Sequence, residues 1–477
     1  MKIKILLFNL FLCSTLFAQN ITNTLGSSGT FTIKDASNTY FSLNQSNGRL
    51  TLISPLAGNQ RGSIFKGVDR FLHTYNGSGT TGNNTFVGIN SGNFTMGGTI
   101  YQGSFNTGVG NLSLFSLTTG SSNSAFGTYS LYANTTGYEN SAFGESSLST
   151  NTTGFRNSAF GYYSLHSNTT GNGNSAFGLS SLRFNTTGLN NSAFGFEALN
   201  YNTTGIYNSA FGFISLYSNT TGFNNSAFGY YSLVRNTEGW NNSAFGSYTL
   251  ENNTTGTQNS AFGSNSLANN TTGFSNTAFG FRAGDLITTG SNNIAIGILA
   301  QVPSGTASNQ IRLGNTSITY AGIQVAWTVT SDRRLKNNIL NSNLGLSFIN
   351  KLRPVSYTRI NDESGKTEYG LIAQEVEDAL KQENTENTGM LTVTDEGEYQ
   401  LRYNDLLAPM IKAIQELKLA SDIKDTEIVK LKYENDELKK KFESLKSVED
   451  RLTVLEKYML EQNKIKEVNS EINAVNQ

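Results

Sequence analysis

The pentapeptide Asn-Ser-Ala-Phe-Gly begins at Asn123, Asn140, Asn157, Asn174, Asn191, Asn208, Asn225, Asn242 and Asn259, always 17 residues apart. Variants follow at Asn276 and Asn293, and a weaker one precedes at Asn106. A short fixed period with no helical hydrophobic pattern predicts a solenoid. Seventeen residues punctuated by glycine twice suit one turn of a β-solenoid: strand, corner, second short segment, corner. Stacking then predicts ladders of like residues. Phe126, Phe143 and Phe160 begin one, and Leu131, Leu148 and Leu165 another. The Asn of each Asn-Thr-Thr-Gly should ladder at a corner, where Asn and Gly tolerate a left-handed backbone. Eleven coils at ~4.8 Å each make a rod of about 50 Å. No proline interrupts them, as continuous strand pairing requires.

Each unit brings few apolar residues, for example Ala142, Phe143, Leu148 and Phe155. That is thin for a self-contained core at ~25 cal/mol per Å². The expectation is that several chains pool their Phe and Leu faces along a common axis; the alternative is a monomer with every ladder inside. Over residues 84–297 the units resemble the head repeats of trimeric autotransporter adhesins, a parallel β-roll, although the period here is longer. The segment 19–83, with Phe31-Thr32-Ile33 and Leu50-Thr51-Leu52, reads as an N-terminal β cap before a repeat fibre over 84–300.

Charge divides the 477 residues sharply. Between Arg70 and Arg312 there are four basic residues, six acidic ones and no lysine, whereas 49 of the 69 charges fall in residues 331–477. A break of that size marks a domain boundary, with 301–330 as connector. The only histidines are His73 and His166, and the only cysteine is Cys13. Zinc sites of His/Cys type, thiol catalysis and a histidine-based triad in the last third are therefore excluded, and no cofactor or metal is expected. A net charge of −1 gives no bulk attraction to nucleic acid.

Residues 1–18 read as a signal peptide: Lys2 and Lys4, an apolar run from Ile5 to Phe17 that is short for a membrane span, and Ala18 at a cleavage position. The mature protein is accordingly expected to be secreted or held at the cell surface, without a transmembrane segment.

Residues 343–415 read as a small α/β domain: a helix over 344–352 stopped by Pro354, a strand over 355–360 and a turn at 362–365. A second helix passes through Gln374, Val376 and Leu380, and a hairpin turns at Asp395-Glu396-Gly397. Asn404-Asp405 should cap a last helix. Beyond residue 420 it carries Ile428, Leu431, Leu438, Phe442 and Leu445 at spacings of three and four, with Asn435 in the polar gap. That pattern predicts a coiled coil over 421–477. The predicted fold class is mostly β: a solenoid, a small α/β domain and a C-terminal coiled coil, assembled as a homotrimer.

Three motifs follow the rod: Ser331-Asp332-Arg333-Arg334-Leu335-Lys336-Asn337-Asn338-Ile339, Leu352-Arg353-Pro354-Val355, and Tyr369-Gly370-Leu371-Ile372-Ala373-Gln374-Glu375-Val376. In that order they resemble the intramolecular chaperone domain of endosialidase-type phage tailspikes, a self-cleaving peptidase of Ser-Lys type, over residues 331–420. The resemblance implies a domain that trimerises, helps the preceding fibre fold, and then cuts itself off. By motif position it implies Ser331 as nucleophile, Lys336 as general base and Thr330–Ser331 as scissile bond.

A serine hydroxyl needs a base, and a lysine serves when burial or a neighbouring cation lowers its pKa; Arg333 and Arg334 are candidates for that cation. Attack on the Thr330 carbonyl makes an ester that water hydrolyses. On a helix the two side chains would stand about 140° apart, so the pair needs a bent segment or an inter-chain contact. Asp332 is expected to cap the next helix.

The leading expectation is a secreted, adhesin-like trimeric fibre assembled by its own chaperone. Its partners would be copies of itself and a cell-surface glycan or protein ligand. A phage tail fibre shares the domain order but needs no export signal. A glycan-binding or purely structural spacer rod without cleavage is the other alternative. A glycosidase is disfavoured, because no two carboxylates share a repeat.

Overall fold

A strand of three residues recurs every 17 residues, from Thr107–Val109 through Ser158–Phe160 to Ile311–Leu313, in a computed structural model that describes residues 30–34, 39–44, 50–52, 63–360, 362–386 and 388–475. The signal-peptide expectation over residues 1–18 lies outside the described residues. The strands pair in parallel and in register, Ala159 against Ala176 and Phe160 against Phe177. Contacts divide the chain into two units, residues 1–318 and 319–477.

Alternation within each strand decides what fills the coil. The central Ala points inward and is fully buried, as is the Leu five residues beyond the strand, so Ala159 and Leu165 with their equivalents line the interior. The Phe points outward. Phe143 and Phe160 stack at 4.7 Å with rings 6° from parallel, and the ladder continues through Phe245–Phe262 at 4.9 Å. The pooled core expected of the Phe and Leu ladders is thus split: Leu is spent inside its own coil, and only Phe remains on the outer surface.

The interior is also polar, and its polar groups are paired. Asn157 donates from Nδ2 to Asn140 Oδ1 at 3.2 Å and to Gly171 O at 2.8 Å, while Asn140 Oδ1 also accepts from Asn157 N at 3.0 Å. A second ladder joins Asn168 Nδ2 to Asn151 Oδ1 at 2.8 Å and to Gly171 O at 3.0 Å. Both ladders are fully buried. The Asn of Asn-Thr-Thr-Gly therefore does not occupy a left-handed corner. The left-handed residues are others, for example Arg156 (φ 56°), Tyr163 (φ 56°) and Leu165 (φ 49°). Such conformations cost of order 1–3 kcal/mol for residues with a side chain. They persist because each N–H finds a neighbouring coil, as Leu165 N does at Ser181 O, 3.0 Å away. Glycine is obligatory after the strand: Gly161 has φ 141°, and a Cβ there would lie 2.5 Å from Gly178 O.

The N-terminal end of the stack is closed by antiparallel strands, Ile64–Lys66 and Asp69–His73, pairing onto Thr85–Val87. Phe86 takes the inward position that Ala holds elsewhere, and Gly108 leaves the room it needs: a Cβ there would stand 2.9 Å from the ring. His73 packs on Phe86 and Phe94 at ring distances of 4.8 and 4.9 Å. Its Nε2 donates to Ser91 O at 2.7 Å, and its Nδ1 accepts from Tyr75 N. Burial pushes its pKa down to about 4, so the ring is neutral at pH 7.

In the second unit, helices α1 (Leu346–Lys351) and α2 (Ala373–Gln382) enclose a core of Leu344, Phe348, Val376, Ala379, Leu380, Met390 and Leu406. Two hairpins complete it, Val355–Tyr357 with Glu368–Gly370 and Leu391–Val393 with Tyr399–Leu401. Helix α3 spans 69 residues, Leu407–Val475. Asn404-Asp405 does not cap it: both residues lie inside the 3₁₀ turn Tyr403–Leu406, whose N-cap position is Arg402. The seam residues Leu431, Leu438, Phe442 and Leu445 are 55–70% exposed on this helix, which makes it compatible with a coiled coil. Among the described residues no helix is long and apolar enough to cross a membrane.

Candidate functional site

Thr330 and Ser331 lie in an exposed stretch without regular structure, and a single 3₁₀ turn, Arg333–Leu335, follows. Asp332 caps that turn: its Oδ1 accepts from Arg334 N at 2.8 Å, and Arg334 Nη2 closes on Oδ2 at 2.6 Å. Those hydrogen bonds, the side-chain one first, hold the Asp332 carboxyl below the usual carboxylate range. Arg334 is thereby committed to Asp332 rather than to Lys336.

The cap also sets the geometry of the pair. Backbone on both sides of the turn is extended, with Asp332 at ψ 133° and Lys336 at ψ 134°. Five residues therefore do not separate two faces of a helix. They fold back instead, and Lys336 Nζ donates to Ser331 Oγ at 2.7 Å within one chain. The bent-segment arrangement is the one observed. Both side chains are exposed in the single chain.

The other two motifs meet through charge and backbone. Arg353 forms a two-pronged ion pair with Glu375, with Nε 3.1 Å from Oε2. Leu371 N donates to Tyr403 Oη at 2.9 Å, and a Cβ on Gly370 would stand 2.4 Å from that hydroxyl. The base of α3 ties to α1: Leu346 N donates to Glu416 Oε2 at 2.6 Å, and Lys412 Nζ to Ser342 O at 2.6 Å. Sequence reasoning quoted Arg353 and Glu375 within motifs but gave them no role, and it missed Glu416 and Lys412 altogether. The pairing of Arg353 with Glu375 had a signal, opposite charges in two adjacent motifs. The contact of Glu416 with residue 346 spans 70 positions and had none. Among the described residues no group of three His, Cys, Asp or Glu side chains is placed to hold a metal.

Comparison with known families supplies one match. Residues 331–385 fit the family model described as chaperone of endosialidase (Peptidase_S74), and the matched segment begins at Ser331 and contains all three motifs. No curated protein and no solved structure matched the chain.

Proposed function

We propose that the chain is a secreted, adhesin-like trimeric fibre whose endosialidase-type chaperone segment drives assembly of the β-solenoid and then releases itself at Thr330–Ser331. One observation carries the reading: Ser331 and Lys336, 2.7 Å apart, stand at the very start of the segment that fits the chaperone family. In the cleavage step a neutral Lys336 takes the proton of Ser331 Oγ, and Oγ attacks the Thr330 carbonyl carbon. The C–N bond breaks as the proton passes to the departing α-amine of Ser331. The resulting ester is hydrolysed by water, leaving Thr330 as a carboxylate and Ser331 with a free amine and hydroxyl.

Assembly supplies what the single chain lacks. The outward Phe ladder and the exposed seam of α3 are the two apolar stripes that copies of the chain would bury against each other. Burial of the dyad in the assembled trimer would favour the neutral lysine, so cleavage would wait for assembly.

The test is intact mass and oligomeric mass of the expressed protein beside its Ser331→Ala and Lys336→Ala variants. Wild type should yield fragments split at Thr330–Ser331, and both variants should stay whole while remaining trimers. Fragments of the same mass from both variants would sink the dyad assignment.

A further inference from the structure

The repeat pattern runs out before the chaperone segment begins. Counting on by 17 from Asn293, the ladder Asn gives way to Gln310 and then to Trp327, and the inward Ala295 gives way to Arg312 and then to Val329. Gln310 still joins the ladder, its backbone N–H donating to Asn293 Oδ1 at 2.9 Å. A tryptophan side chain donates one N–H and accepts nothing, so it cannot serve as the next rung. Residues 319–330 therefore do not extend their own solenoid, and Ile311–Leu313 is its last strand.

A different pattern takes over. Ile323, Val325, Trp327 and Val329 alternate with Gln324, Ala326, Thr328 and Thr330. A period of two, with β-branched and aromatic residues on one face, is the pattern of a strand, and it runs up to Thr330–Ser331. The single chain does not form that strand. Residues 316–331 are all exposed, with Val325, Trp327 and Val329 at 72–76%. Among the described residues, no backbone N–H from residue 319 to 331 finds an acceptor. A lone strand has no stability of its own; it needs a neighbour for its backbone and a cover for its apolar face.

Two observations point to further copies of the same chain as that neighbour. Residues 313–331 carry no charge, so identical strands can lie side by side without like charges opposed. Around a rotation axis each residue then meets its own equivalent. The uncovered surface also continues past Val329: Leu335, Ile339 and Leu340, on either side of Lys336, are 56–86% exposed. The dyad lies within this apolar strap, so a copy that covers the strap also encloses the dyad.

We propose that residues 323–330 form a β-strand between copies of the chain, parallel and in register, with Ile323, Val325, Trp327 and Val329 facing the common axis. Assembly then presents Thr330–Ser331 at the end of an ordered strand, whereas in the single chain that bond lies in unpaired backbone. The inference rests on the trimeric-assembly reading. It adds what the other copies contribute to the site: backbone hydrogen bonds to the residues before the scissile bond.

The test is disulfide trapping in the full-length chain carrying Cys13→Ser, which removes its only cysteine, and Ser331→Ala, which removes the proposed nucleophile. Mild oxidation of Val325→Cys in that background should link chains in pairs, because equivalent positions at the axis lie within disulfide reach. Gln324→Cys, on the opposite face, should link about tenfold fewer. In the chain that keeps Ser331, Val325→Asp should slow release of the fragment about tenfold or more, with oligomeric mass and solenoid melting unchanged. An oligomer with no cross-link at residue 325, equal cross-linking at residues 324 and 325, or undiminished release from Val325→Asp would each overturn the proposal. A mass of one chain would overturn the assembly reading with it. A wild type that stays whole while residue 325 cross-links would uphold the strand and overturn the cleavage reading alone.

Discussion

The solenoid and the C-terminal unit treat apolar surface in opposite ways. Within the solenoid, Ala and Leu are fully buried in their own coil, and the buried amides are joined by bonds to the coils above and below. Along α3 the Leu431, Leu438, Phe442 and Leu445 seam is exposed. The first region takes its partners from its own sequence, one period away. The second leaves a stripe that no described residue of its own chain covers. The contrast teaches that repetition can make a thin supply of apolar residues sufficient. A coil with one inward Ala and one inward Leu is stable because its polar interior is hydrogen-bonded, not because its core is large.

Four changes test that contrast, taken from the largest effect down. Replacing Leu438 and Phe442 together by Asp puts charges in the seam. Light scattering should then show loss of the proposed trimer, while the melting transition of the solenoid persists; an unchanged oligomeric mass would show that α3 is not an associating element. Gly161→Val should cost 3 kcal/mol or more (about this size for a forced φ plus a backbone clash), read as a loss of the solenoid's cooperative melt. Asn157→Ala removes one rung and leaves Asn174 N, which donates to Asn157 Oδ1 at 3.0 Å, without its acceptor, at a cost of about 2 kcal/mol by denaturant titration. A change below about 0.5 kcal/mol would mean the amide ladder is ornamental.

The fourth concerns pH at the N-terminal cap. His73 has a folded pKa of about 4 against an unfolded value near 6.5, so the unfolded chain binds the proton more tightly. Stability is therefore fully present above about pH 6.5 and is lost as pH falls towards 4, by about 2 kcal/mol between pH 7 and pH 5. His73→Gln should flatten that slope in melts of the full chain, whereas His166→Gln, on a half-buried side chain, should change it less. A slope unaltered by His73→Gln would assign the pH response to other groups.

Much of this was legible beforehand. A 17-residue period announces a solenoid whatever the environment, because the only way to use one pattern repeatedly is to stack it. The motifs from Ser331 to Val376 identified the chaperone segment, since they are local strings. What could not be read was direction. Nothing in Ser-Ala-Phe says that Ala faces in and Phe out; the pleat allows either, and in the Ser-Ala-Phe strands it is Ala that is buried. Nor did the Asn of Asn-Thr-Thr-Gly reveal that it pairs inward with its own kind rather than forming a left-handed corner. The separation of Ser331 and Lys336 left two arrangements open, a bent segment or an inter-chain contact. The Asp332 cap supplies the first within one chain, as one tight turn between extended residues.

The sequence by itself determined the period, the break in charge near residue 331, the exclusion of His and Cys chemistry from the last third, and the heptad seam of α3. These are properties of order and composition, which no folding can alter. The tertiary structure alone decided which ladder is core and which is surface, brought Glu416 to Leu346 across 70 residues, and left Ile323, Val325, Trp327 and Val329 exposed. Each of those depends on where one coil or helix lies against another, and the spacing of residues along the chain does not contain that information.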